Sequence, residues 1–204
     1  MSGGELRRGV GGGVAEMFWG SKVAADFTVY EGKALAAKKI QEREYVKESL
    51  ILCDWAWPIQ FVRSGDNRVG DPTLESKIYS YIVGKDISEA ELHHFGERIF
   101  NIQRAILVRE GWNGRMDDQL PDFLFENPLE RAFMNEECLV PGPAGKGVSR
   151  KGEVLDKSAF EKMKDEYYRL RGWDVGSGLQ TISKLKELDL SDVGEGLGHK
   201  RLVR

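Results

Sequence analysis

At 204 residues, with 41% apolar and 31% charged residues, the chain has the make-up of a globular protein of one or two domains. A formal net charge of -3 and the lack of any Lys/Arg stripe leave no basic field for nucleic acid, and no apolar run approaches the ~18 residues of a membrane span. Two cysteines, Cys53 and Cys138, are too few for a disulfide framework or for a self-contained zinc or iron–sulfur site; with no signal-peptide layout at the N-terminus, the expected compartment is the cytoplasm.

Residues 1–30 form a glycine-rich segment, with seven glycines in the first twenty positions, and favour loop over helix. From Glu31 to Leu52 the apolar residues Ala36, Ile40, Val46 and Leu50 recur at helical steps, and Pro58 forbids continuation far beyond Ala56. Phe61 to Pro72 is polar and carries two glycines and a proline, so it reads as loop. Thr73 to Val83 reads as a short helix, though its β-branched and aromatic end leaves strand open.

Ser88 and Glu91 form a capping box that opens the clearest helix of the chain. Its stripe of Leu92, Phe95, Ile99, Ile102 and Ile106, with Ala105 alongside, is expected to face the core, and Gly111 closes it. The stretch from Arg109 to Glu130 is broken by Gly111, Gly114, Pro121 and Pro128, and VPGPAGKGVSRKG reads as plain loop. A further helix starts at Asp156 or Ser158 and ends at Gly172. A last short one follows Thr181, with Ile182, Leu185 and Leu188 on its apolar side. The expected class is mainly α: irregular helical structure with long loops over residues 31–204.

No residue set here assembles a familiar catalytic constellation. His93 and His94 are neighbours on a helix, so their side chains diverge by about 100° and cannot converge on one metal. Asp117 and Asp118 read as solvated or capping carboxylates rather than an acid/base pair. Arg98 and Arg104 lie on different faces of the long helix and read as surface or ion-pair residues. Taken on the residues alone, Cys53 in ESLILCDWAWP reads as an inert core thiol, with Trp55 and Trp57 packed around it.

Four ordered blocks nevertheless resemble one family, the tungsten-dependent aldehyde ferredoxin oxidoreductases. Gly96 to Pro121 (GERIFNIQRAILVREGWNGRMDDQLP) is similar to that family's long helix and following loop, and Asp165 to Asp174 (DEYYRLRGWD) to its EYY…RGWD ending. TISKLKELDL resembles its final short helix. ESLILC resembles the D-x-x-G-L-C block that binds the pterin and supplies the last cluster cysteine. The likeness runs from about Val46 to Val193 and corresponds to the C-terminal part of those enzymes.

The resemblance implies a [4Fe-4S] cluster beside a tungsten (or molybdenum) bis-pterin, aldehydes oxidised to carboxylic acids, and ferredoxin as electron acceptor. It makes Cys53 a cluster ligand, sets Glu48 and Leu52 against the pterin, and has Trp55 and Trp57 exclude water around the cluster. Such clusters usually take four thiolates. The other three would come from upstream domains or a partner subunit, so both cofactors would be held only in the assembled enzyme and this chain would not be the whole of it. Catalytic residues are not identified. Two positions depart from the pattern: Glu48 is one methylene longer than the family's Asp, and Ile51 replaces Gly. The alternative is a cofactor-free structural or interaction domain that docks a partner subunit.

Overall fold

The structure, a computed structural model, describes residues 15–17, 19–26, 28–53, 71–132, 134–142, 146–200 and 202–204. Its regular elements are α1 (Lys33–Ser49), α2 (Leu74–Val83), α3 (Glu89–Arg109), α4 (Phe123–Glu126), the strands β1 (Leu139–Pro141) and β2 (Gly147–Ser149), α5 (Lys157–Arg171), α6 (Ile182–Glu187) and α7 (Ser191–His199). The class is mainly α, as the periodicity predicts. The chain divides into two compact units, one of residues 1–36 and 119–166, the other of residues 37–118 and 167–204.

In the first unit, β1 and β2 pair antiparallel, with Leu139 opposite Ser149, Val140 opposite Val148 and Pro141 opposite Gly147. This corrects the reading of VPGPAGKGVSRKG as plain loop. Strands of three residues carry too little alternation to register as a period, and a proline and a glycine occupy one of the paired positions. Phe125 packs on Phe160 at 5.7 Å between centroids, and Leu155 N–H bonds the carbonyl of Leu124 at 3.0 Å, tying α4 to the entry of α5. Cys138 is 2% exposed and is held by its own N–H to Asn135 O at 2.9 Å.

The second unit has two apolar clusters. One gathers Ala105, Leu185, Leu188, Leu190, Leu197 and Val203 where α3, α6 and α7 meet; the other gathers Val46, Ile87 and Leu92, with Leu50 and Tyr79 against it, where α1, α2 and α3 meet. The capping box is present as predicted: Ser88 Oγ accepts from Glu91 N–H, and Glu91 Oε2 accepts from Ser88 N–H at 2.9 Å. Gly96 lets α3 approach α1 closely, since a Cβ there would lie 2.1 Å from Glu42 O. Sequence periodicity missed α7, which has glycines at 194, 196 and 198. Packing overrides the poor propensity there, with Leu197 and Gly194 buried against α6.

A second correction concerns α3. Of its apolar stripe, Leu92 and the flanking Ala105 are buried, whereas Phe95, Ile102 and Ile106 are 38%, 37% and 46% exposed. The face turned inward carries Glu97, Asn101 and Arg104 beside Ala105 and Val108. These polar groups are buried because each has a partner. Asn101 Oδ1 accepts from Trp173 Nε1 at 3.0 Å and from Gln180 Nε2 at 2.7 Å. Glu97 pairs with Lys38 at 3.4 Å and with Lys184 at 3.0 Å.

Candidate functional site

The segment Glu48–Cys53 closes α1. Leu52 N–H bonds Lys47 O at 2.9 Å and Ile51 N–H bonds Glu48 O at 3.1 Å, the paired bonds of a Schellman motif with residue 51 in the left-handed position. Ile51 accordingly has φ 59°, a region glycine enters freely and a β-branched residue enters at a cost. The same motif ends α5, where Trp173 N–H bonds Tyr168 O at 2.9 Å and Gly172 takes φ 66°. One chain thus closes two helices alike, once with glycine and once with isoleucine. The sequence signal was the departure from D-x-x-G-L-C at residue 51.

This closure places the predicted site residues. Leu50 turns inward onto the Val46–Ile87–Leu92 cluster, Leu52 is half-buried, and Glu48 and Cys53 are exposed; Ile51 is 92% exposed. The reading of Cys53 as an inert core thiol is therefore corrected: that description belongs to Cys138, and the two are not joined in a disulfide. Trp55 and Trp57 lie outside the described residues. Behind the exposed end, a buried ion pair ties α1 to α2, and a second pair lies within α1 itself. Arg43 meets Glu75 of α2 at 2.9 Å, and Lys47, 1% exposed, meets Glu44 at 3.2 Å. Tyr45 packs on Phe100 at 5.3 Å; burial, and then the nearby Glu48 charge, raises its hydroxyl pKa above the usual tyrosine value.

Chemically, the helix end offers one exposed thiol and one exposed carboxylate on adjacent turns. That donor set suits a single cluster ligand beside a hydrogen-bond acceptor, and it does not suit a cluster held by this segment alone. Among the described residues, no group of three or more His, Cys, Asp or Glu side chains is placed to hold a metal ion.

The remaining titratable candidates are locked into scaffold. Asp118 takes both arms of the Arg104 guanidinium at 2.8 and 2.6 Å, Tyr168 OH at 2.6 Å and Trp112 Nε1 at 3.0 Å. Burial pushes its carboxyl pKa up, but the hydrogen bonds of Arg104 and Tyr168 outweigh this and hold it below the ordinary range. Tyr168 is driven the other way, by burial and by its bond to Asp118. Asp118 is thus an ion-paired hub rather than a solvated loop acid, and Asp117 caps the turn by accepting from Asn113 N–H at 2.7 Å. Arg171 is fully buried, bonded to Glu42 at 3.1 Å and Gln41 at 2.7 Å, with its guanidinium 4.3 Å from the Phe100 ring. His93 is half-buried against α1; burial, with Lys39, Arg43 and Lys38 nearby, lowers its pKa to about 4. No metal role follows for it.

Among the described residues the molecule presents a helical scaffold with buried ion pairs and, at the end of α1, an exposed cysteine and an exposed glutamate. The chain belongs to the aldehyde ferredoxin oxidoreductase family: the family model described as aldehyde ferredoxin oxidoreductase, domains 2 & 3, matches residues 8–190. It is similar to the tungsten-containing aldehyde ferredoxin oxidoreductase of Pyrococcus abyssi, 32% identical over 110 residues, and to the protein of the same name from Pyrococcus horikoshii, 31% identical over 110 residues. Each match covers 54% of this chain and 15% of the relative's length. Among the described residues no helix is long and apolar enough to cross a membrane.

Proposed function

We propose that the chain is the C-terminal portion, or a subunit, of a tungstopterin and [4Fe-4S] oxidoreductase that converts aldehydes to carboxylic acids in the cytoplasm and passes electrons to ferredoxin. Cys53 supplies one thiolate to the cluster, and Glu48 and Leu52 face the pterin. The observation that carries this reading is the exposure of Cys53 at a capped, rigidly anchored helix end within the block similar to D-x-x-G-L-C. A core cysteine has no reason to stand there, whereas a ligand to a group completed elsewhere has to.

Oxidation of an aldehyde with water to a carboxylic acid releases two electrons and two protons; the metal–pterin group supplies the two-electron chemistry and the cluster a one-electron exit. This chain's part is positional. α1 is tied to α2 through Arg43–Glu75, which keeps the Cys53 thiol from shifting as the charge on its ligand site changes. The Glu48 carboxylate stands one turn back as an acceptor for a donor on the pterin ring. The remaining cluster thiolates come from upstream domains or a partner subunit.

The test is metal analysis of the tagged chain purified without oxygen from its own host, together with whatever polypeptide it accompanies. Iron and tungsten (or molybdenum) should co-purify with the wild type, fall with Cys53→Ser and persist with Cys138→Ser. Preparations free of both metals, or a Cys53→Ser protein with full iron, would sink the reading and favour a cofactor-free docking domain.

A further inference from the structure

Ile51 costs the chain stability, and nothing within the chain offsets the cost. It takes the left-handed position of the turn that closes α1, at φ 59°, where glycine is free and a β-branched residue is strained. Gly172 fills the corresponding position after α5 at φ 66°. Packing could offset such strain, yet Ile51 is 92% exposed, and no large apolar residue among those described is more so. Its neighbours behave otherwise: Leu50 packs on the Val46–Ile87–Leu92 cluster and Leu52 is half-buried. Of three apolar residues in a row, only the strained one leaves the core. A backbone outlier that its own surroundings do not compensate points to a role outside them.

The position of Ile51 in the turn indicates that role. The exposed thiol of Cys53 stands two residues on, and two residues of chain span at most about 7 Å. Both side chains leave a helix end that the buried Arg43–Glu75 pair ties to α2. A group held by the Cys53 sulfur therefore has the Ile51 side chain in its immediate surroundings. A polypeptide laid over this end adds to those surroundings and leaves Ile51 within them. With Cys53 as a cluster ligand, the reading on which this inference rests, Ile51 belongs to the apolar shell of that cluster. Such a shell keeps water, and the hydrogen bonds it would donate, away from the ligand sulfur. Reduction adds negative charge, so a drier sulfur disfavours the reduced state and lowers the potential. We propose that Ile51 shields the Cys53 sulfur from water and holds the cluster at a lower potential than glycine at the same position would. The strained turn is retained because function opposes stability there.

The tagged chain, purified without oxygen together with the polypeptide it accompanies, is titrated potentiometrically while electron paramagnetic resonance follows the reduced cluster. Three substitutions separate shielding from strain. Ile51→Val keeps an apolar, β-branched side chain, and Ile51→Gly removes it. Ile51→Asn suits the left-handed position but is polar. The Ile51→Val protein should titrate with wild type, whereas the Ile51→Gly and Ile51→Asn proteins should titrate at higher potential with iron per chain unchanged. Relief of strain alone would raise the thermal midpoints of those two and leave their potential at the wild-type value. That result overturns the proposal while the cofactor reading stands, as does an Ile51→Gly protein that loses its iron. A wild type free of iron overturns the cofactor reading itself, and this inference falls with it.

Discussion

Replacing Ile51 by glycine should make the protein more stable, although it removes four side-chain carbons. Residue 51 must adopt φ near 59° for α1 to close with its two Schellman bonds. Left-handed geometry costs an L-residue roughly 1–2 kcal/mol, and a β-branched side chain belongs at the upper end. Packing returns almost nothing, because Ile51 is 92% exposed. Against the relief stands glycine's extra freedom in the unfolded chain, about 0.5–1 kcal/mol. The net gain is about 1 kcal/mol, or roughly 2–4 °C in Tm for a chain of this size.

Thermal and urea denaturation of wild type, Ile51→Gly and Ile51→Ala would measure it. Alanine keeps most of the strain, so its midpoint should stay near wild type while glycine's rises. The mirror experiment is Gly172→Ala, which imposes the same strain at φ 66° and presses a Cβ to 3.1 Å from the Lys184 side chain; its midpoint should fall. An Ile51→Gly protein less stable than wild type would refute the reasoning, since the side chain would then have to be packed.

Gly96→Ala should cost several kcal/mol, seen as a drop in urea midpoint, because its Cβ would enter the Glu42 carbonyl and α3 cannot retreat without opening the Val46–Leu92 contact. Arg171→Met should cost roughly 3–5 kcal/mol in the same assay, through the loss of a fully buried cation that holds Glu42 and Gln41. His93 binds its proton less readily folded, near pH 4, than unfolded, near 6.5, so its contribution is intact above pH 6.5 and is lost as pH falls toward 4. Stability curves at pH 7 and pH 4.5 should therefore separate by about 2 kcal/mol more for wild type than for His93→Gln. Cys53→Ser should leave the urea midpoint within about 0.5 kcal/mol, while Cys138→Ser, at 2% exposure, lowers it.

The helices were legible where local chemistry decides them. Ser88 with Glu91, Gly172 after α5 and Thr181 before α6 each act within one turn, and each does in the structure what its residue type predicts. The inversion of α3 was hidden because periodicity finds a stripe without saying which way it points. Asn101 can turn inward only because Trp173 and Gln180, some seventy residues on, complete its hydrogen bonds. The partner of Arg104 lies only fourteen residues away, yet the loop after α3 must fold back to deliver Asp118. Cys53 was ambiguous for a related reason. Its exposure follows from the left-handed turn at Ile51, which an isoleucine by itself does not announce and only the glycine of the similar D-x-x-G-L-C block suggests.

The four blocks that carry the family resemblance divide by what they do. Gly96–Pro121 and Asp165–Asp174 supply Arg104, Asp118, Tyr168, Arg171 and Trp173, and the final short helix packs Leu185 and Leu188 into the core; Arg104 lies 4.7 Å over the Trp173 ring while binding Asp118 and the Gly178 carbonyl. Groups so fully engaged cannot exchange protons or ligands without losing the fold's own ion pairs. Glu48–Cys53 differs in exposing a thiol and a carboxylate at a helix end. On the proposed reading, rigidity and ligand supply fall in different blocks, and substitutions should separate them. Changes at Arg171 or Asp118 act first on stability, whereas changes at Cys53 act on metal content with stability intact.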